Sequence, residues 1–306
     1  MEIAHRRKRI KGLKNFLIAI PFLIFVIAFS YVPIAGWIYA FFKYDVGTIF
    51  YDLSNAEFRG LDFFAQMIRG GTEILRVLRN TLVMSLLNIL VSPLPVAFAI
   101  LLNDVRNKAY RKIVQTTTTL PHFISWIIVF SLAFSMFSMG GFVNTALKAL
   151  NLPVPDIPLM GNVKAVWPFQ LFIGLWKSLG WSTIIYIAAI SGIDPELYDA
   201  AKVDGASKFR EIWHITVPGI APTYLVLFLL GISNLLNTGF EQYFMFFNSL
   251  IADRIEVLDY YVYRMGILIG DYSYSIAVGM LKSLISIMLL FIGNHISKRI
   301  RGQSLV

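Results

Sequence analysis

The chain has 306 residues, of which 57% are hydrophobic and only 15% charged, with a net charge of +9 and a mean hydropathy of +0.67. A soluble domain carries about a quarter charged residues and a disordered chain lacks long apolar blocks, so both classes are excluded. No cysteine and four scattered histidines remove disulfide frameworks, thiolate nucleophiles and cysteine-ligated metal sites, and no metal site is expected.

A helix crosses a bilayer core with about 20 apolar residues. Residues 15–42 carry no charge and form the first predicted span. This run is far longer than the apolar core of a secretory signal and reads as a retained anchor. Further spans are predicted at 80–102, 113–139, 166–190, 220–240 and 272–296, the fourth holding Lys177 and the sixth Lys282. Pro93, Pro95 and Pro121 are expected to kink their helices. Lipid offers no partners to backbone polar groups, so these spans are helices rather than open strands. The fold class is all-α: a polytopic membrane protein of six transmembrane helices, with both termini cytoplasmic.

The charges support that orientation. Segments on the side of the termini hold 16 Lys/Arg against 7 Asp/Glu, and segments on the other side hold 9 against 11. This is the positive-inside pattern, so the basic excess is a topology signal and no nucleic-acid partner is expected. Among the outward segments, 43–79 contains a short amphipathic stretch at 61–68 expected on the outer surface. Residues 140–165, with Gly140, Gly141 and three prolines, read as an ordered loop, and 241–271 is acidic, with five Asp/Glu against two Lys/Arg. The domain organisation expected is a basic cytoplasmic segment over 1–14, a transmembrane domain over 15–298 and a cytoplasmic tail over 299–306.

The inward loop 191–219 is long and rich in local signals. Asp194 suits an N-cap, Pro195 the first helical position and Glu196 the positive helix end. The helix is expected to run to Asp204, with Gly205 as its stop. Ser207 can cap a second short helix ending before Pro218, with Phe209, Ile212 and Trp213 on one face. Two readings fit: an interfacial hairpin lying on lipid, or an aromatic patch that docks into a groove on another protein.

The same loop reads Asp199-Ala200-Ala201, three residues, Gly205, nine residues, Ile215, Thr216, Val217-Pro218. It resembles the signature of binding-protein-dependent ABC importer permeases, Glu-Ala-Ala, three residues, Gly, nine residues, Ile, one residue, Leu-Pro. Asp199 and Val217 are its two mild departures. Other stretches resemble the sugar (maltose-type) permeases, in the branch that imports oligosaccharides such as alduronate and alginate. These are Asn80-Thr81-Leu82, 120–126 (LPHFISW), 176–181 (WKSLGW), Gly239-Phe240-Glu241-Gln242 and 277–283 (AVGMLKS).

The resemblance implies a division of labour. Two permease subunits, here a heterodimer, form the path. Two ATPase subunits inside receive the coupling loops, through Asp199, Ala200, Ala201, Gly205, Phe209, Ile212, Trp213, Ile215 and Pro218 in this chain. An extracytoplasmic solute-binding protein delivers an oligosaccharide, and alternating access carries it across the cytoplasmic membrane. ATP and Mg belong to the partner ATPase. The chain has no phosphate-binding Gly-x-x-x-x-Gly-Lys-Ser/Thr loop and is expected to bind no cofactor and to be no enzyme by itself.

Candidates for the path follow from chemistry. An intramembrane lysine faces a partner or a polar cavity, so Lys177 and Lys282 are each read as structural pairs or as path residues. Trp181, Asn234, Asn237, Phe240, Glu241 and Gln242 offer the aromatic faces, amides and carboxylate that hold sugars, although Trp near a span end is also an interface anchor. An ion-coupled secondary transporter is the alternative function. It would leave the long inner loop unexplained, and the internal repeats common in that class are not found.

Overall fold

The computed structural model describes residues 15–44 and 56–301, with the side chains of 300 and 301 excepted. The basic segment 1–14 and residues 302–306 of the expected tail lie outside the described residues. Among the described residues, six helical runs are long and apolar enough to cross a membrane: Asn15–Phe41, Thr72–Asp104, Trp126–Ala149, Val166–Ser191, Lys208–Ser233 and Tyr272–Arg299. Among the described residues there is no strand, only an isolated antiparallel bridge between Phe42 and Phe58. The chain divides into two units, Met1–Gly70 with Val262–Leu281, and Gly71–Tyr261 with Lys282–Val306.

In the smaller unit the first span exposes nearly all its apolar side chains, as a lipid-facing helix does. It tightens into a 3-10 turn over Gly36–Phe41. Ser273 holds the chain that follows, donating to the Phe42 carbonyl at 2.7 Å and accepting from the Tyr44 amide at 2.9 Å. The amphipathic stretch expected at 61–68 is a helix, Asp62–Arg69, with acid at its start and base at its end.

In the larger unit the second span is two consecutive helices, Thr72–Val91 and Pro93–Asp104, parted at Ser92. Pro93 sits at the first position of the second helix, where its missing N–H costs nothing. That half lies along the fourth span, where Ala99, Leu102, Tyr186, Ile187, Ile190 and Ile220 form a buried cluster.

Three expectations need correction. The third span is not one helix over 113–139. Lys108–Thr119 is a separate helix capped by the Asn107 side chain, Leu120–Phe123 is a 3-10 turn, and the span proper begins at Trp126. Pro121 starts that turn, and residues before a proline avoid the helical region. The fifth span is not 220–240 but Lys208–Ser233, and the short helix expected to end before Pro218 continues into it. A π-turn over Ile212–Thr216, closed by the Val217 amide on the Ile212 carbonyl, precedes the proline. The wider turn absorbs the missing N–H at Pro218, so the helix passes through. Residues 234–240 therefore lie outside any helix.

The acidic segment after 240 is packed rather than splayed. Tyr243, Phe246, Ile251, Ile255, Val257 and Leu258 are each 3% exposed or less. Three of its five acids are paired within the larger unit: Glu256, buried, with Arg76 at 2.5 Å, Asp253 with Arg79 at 3.3 Å, and Asp259 with Lys282. Asn80 completes the clamp, donating to the carbonyls of Asp253 and Glu256 at 3.0 Å each.

Candidate functional site: a protruding loop and a polar cavity

The loop after the fourth span builds a helix over Pro195–Val203. Asp194 caps it by accepting from the Glu196 amide at 3.0 Å, and Pro195 takes the first position. Its end explains the Ala-Ala-x-x-x-Gly spacing. The Ala206 amide donates to the Ala201 carbonyl at 2.9 Å, and the Gly205 amide donates to the Lys202 carbonyl at 3.1 Å. Together these are the paired 6→1 and 5→2 bonds of a Schellman turn, with Gly205 as the left-handed residue. Its φ is +71°, and a Cβ added there would meet nothing within 4 Å.

The helix is tied back to the fifth span, whose first residue is in turn paired with the second span. Tyr198 and Thr216 share a hydroxyl hydrogen bond of 2.9 Å, linking it to the π-turn of the fifth span. Lys208 joins Asp104, the last residue of the second span, at 2.6 Å and the buried Glu211 at 3.2 Å. Asp199 and Ala200 are exposed and Ala201 half-buried. Asp199 pairs with Lys202 at 2.9 Å, and that hydrogen bond holds the lysine pKa above its usual value. Phe209 and Trp213 stack with ring centres 6.3 Å apart and stand 73% and 60% exposed. Ile212 and Ile215 are half-buried and Pro218 is exposed.

A cavity of about 460 Å³ opens among the second, fourth and fifth spans. Its polar lining comes in stripes at helical spacing: Ser85, Asn88 and Ser92 from the second span, Ser178 and Ser182 from the fourth, and Tyr224 from the fifth. The turn after the fifth span adds Asn234, Asn237 and Thr238. No charged side chain is among its lining residues. Ser92 and Tyr224 bond each other at 2.9 Å, and Ser85 donates to the Leu235 carbonyl at 2.5 Å.

Of the eight path candidates, Asn234 and Asn237 line this cavity and the other six do not. Lys177 donates to three carbonyls instead, those of Pro121 at 3.2 Å, His122 at 2.7 Å and Ile124 at 2.7 Å. It thereby satisfies the turn that leads into the third span, as non-helical backbone among apolar helices requires. Trp181 lies flat on the His122 ring at 4.5 Å. Gln242 donates to Gln170 through two bonds of 2.9 and 2.8 Å, Phe240 stacks on Phe244, and Glu241 is exposed. Lys282 pairs with Asp259. The polar cavity residues that sequence reasoning missed are neutral serines, Asn88, Tyr224 and Thr238. Their signal is polar residues repeating at i, i+3, i+4 or i+7 inside an apolar run.

Comparison with known proteins places this geometry. Residues 91–302 match the family described as the binding-protein-dependent transport system inner membrane component. Protein LplB of Bacillus subtilis (strain 168) is 39% identical over 292 residues, covering 95% of this chain and 90% of that protein. The polygalacturonan/rhamnogalacturonan transport system permease protein YteP of the same organism is 37% identical over 286 residues, covering 93% and 87%. A chain of a bacterial alginate ABC transporter, solved in complex with an alginate pentasaccharide-bound periplasmic protein, superposes with a TM-score of 0.86 at 30% identity over 97% of this chain and 98% of that one. The chain therefore belongs to the family of inner-membrane components of binding-protein-dependent transport systems, and is a multi-pass permease of the cytoplasmic membrane.

Proposed function

We propose that the chain is one permease subunit of an ATP-driven importer of oligosaccharides. A second, different permease completes the path, two ATPase subunits bind ATP and Mg on the cytoplasmic side, and a solute-binding protein delivers sugar outside. Both termini face the cytoplasm, so the Pro195–Val203 helix projects toward the ATPases. The chain itself hydrolyses nothing.

The observation that carries the reading is the way that helix is built. It is capped at both ends, exposed on its outer face, and tied by Tyr198 to the fifth span, whose first residue, Lys208, pairs with Asp104 of the second. A helix held so moves as a lever with the spans that line the cavity. Motion of the ATPases on binding ATP is then transmitted to the path, provided the two states differ in the contacts ATP makes. The cavity is this chain's share of the path. Its hydroxyls and amides suit a sugar, whose hydroxyls both donate and accept. Its lining is uncharged, so recognition on this side rests on hydroxyl groups, and any preference for acidic sugars arises elsewhere.

The test is reconstitution of the chain with its partner permease, ATPase and binding protein in liposomes. ATP hydrolysis and uptake are measured with oligogalacturonides, alginate oligosaccharides and a neutral xylo-oligosaccharide as probes. At least one probe stimulates both, and removal of residues 195–205 abolishes the stimulation. Uptake driven by an ion gradient after ATP depletion would overturn the reading in favour of a secondary transporter.

A further inference from the structure

The turn that carries Asn234, Asn237 and Thr238 into the cavity has no helix of its own to hold it. Asn234 closes the fifth span with its amide and side chain on the Leu230 carbonyl, at 3.1 and 3.0 Å. Ser85 holds the middle of the turn through the Leu235 carbonyl, and at the other end stands Gly239, whose φ of +92° suits glycine. Its amide donates to Asp259 Oδ2 at 3.1 Å, while Asp259 Oδ1 accepts from Lys282. One helical turn beyond Lys282, Ser286 Oγ accepts from Asn237 Nδ2 at 3.3 Å. Lys282 and Ser286 are four residues apart and share a face of the sixth span. Both side chains of the Lys282–Asp259 pair are only 15% exposed. A charge pair so sheltered is costly to desolvate, and the Gly239 amide is what its second carboxylate oxygen engages.

We propose that Lys282 and Asp259 are positioning residues for transport: the pair anchors the 234–239 turn to the sixth span and so fixes the angle at which the Asn234 and Asn237 amides face the path. This rests on the reading of the cavity as a sugar path. It assigns the intramembrane lysine a task that needs no contact with the sugar. It also gives the sixth span a direct handle on the cavity, since any shift of Lys282 pulls on Gly239 through one carboxylate.

The absence of cysteine makes the test direct. A single Thr238→Cys, carrying a nitroxide label in the full reconstituted complex, reports the mobility of the turn with no substrate present. Asp259→Asn and Lys282→Met narrow its spectrum, Lys282→Arg does not, and a control label at Ser138→Cys is unaffected by all three. Where a single variant fails to assemble because it strands a charge, the pair Asp259→Asn with Lys282→Met removes both charges and is read instead. An unchanged spectrum in every variant overturns the proposal.

A second readout separates this from the path itself. In unlabelled complexes, ATP hydrolysis stimulated by binding protein loaded with alginate or galacturonan oligosaccharides falls on the order of tenfold in both Asp259→Asn and Asn237→Ala. The double variant is little worse than either, because both act through one turn. Full additivity overturns the positioning role. A mobile label combined with normal stimulation in Asn234→Ala and Asn237→Ala overturns the path reading, and with it the purpose assigned to the pair.

Discussion

Gly205 separates a backbone requirement from a contact requirement. A methyl group placed on it meets nothing within 4 Å inside the chain, so Gly205→Ala introduces no internal clash. Its whole intrinsic cost is the left-handed conformation at φ +71°, about 1–2 kcal/mol for a residue with a Cβ. At 1.4 kcal/mol per decade this lowers the population of the turn by about 5- to 30-fold at most. The two Schellman bonds, from Ala206 to Ala201 and from Gly205 to Lys202, resist relaxation to another turn. Asparagine enters the left-handed region more easily, so Gly205→Asn loses less. The assay is ATP-driven uptake per inserted chain in proteoliposomes, and the expected order of rates is Gly, then Asn, then Ala. Gly205→Ala working at the native rate would show that coupling does not need this turn. Rates that fall with side-chain size, with Asn below Ala, would place a partner surface against the glycine and refute the backbone argument.

Other residues make equally concrete claims. Trp213→Ala and Phe209→Ala remove side chains that are mostly exposed, so each leaves the stability of the chain within about 0.5 kcal/mol. If they fill a groove on the ATPase, each weakens its binding by about 2 kcal/mol, roughly 30-fold in Kd; an unchanged Kd in a binding titration returns the patch to lipid. Gly180→Ala drives a methyl into the backbone of Thr118 and Thr119, and neither can swing aside. A loss of about 1–3 kcal/mol lowers the Tm in detergent, and an unmoved Tm would deny the close approach. Lys177→Met leaves the His122 and Ile124 carbonyls without their lysine donor, the Pro121 carbonyl keeping the Ile124 amide, at about 1–3 kcal/mol. Hydrogen exchange then rises at residues 120–125, more than in Lys177→Arg, and protection equal to the native chain would show the lysine to be dispensable there.

What the sequence made legible was whatever is written locally. Six spans follow from six apolar runs, because burial in lipid needs only length and the absence of charge. The Pro195–Val203 helix follows from Asp194, Pro195 and Gly205, because caps act within a few residues. Proline shows where local reading stops. Pro121 and Pro218 are alike on paper, yet the first ends a helix and the second does not. The difference is the π-turn over Ile212–Thr216, anchored by Thr216 to Tyr198 eighteen positions away, which no local pattern encodes. The acidic segment after 240 misleads for the same reason. Its paired carboxylates could not be read from the sequence because their partners are remote, Arg76 being 180 positions from Glu256.

The candidate path inverts the usual expectation about which residues to watch. Charged residues draw attention in an apolar run because they are expensive there. That expense is also why the fold occupies them. Lys177 is saturated by carbonyls, Lys282 by a carboxylate, and one face of Trp181 by His122. Ser85, Asn88, Ser92, Ser178 and Ser182 cost little to place, and their side chains are the ones that line the opening. A transport path needs groups that bind weakly enough to release, and a row of neutral hydroxyls and amides supplies that better than any charge. On the proposed reading, then, the costly residues hold the frame and the cheap ones at helical spacing line the cavity. That division is tested by the contrast between Lys177→Met, which loosens the 120–125 turn, and Ser178→Ala with Ser182→Ala, which leaves the fold intact and slows uptake. Uptake unaffected by the serine pair would return the path to the charged residues.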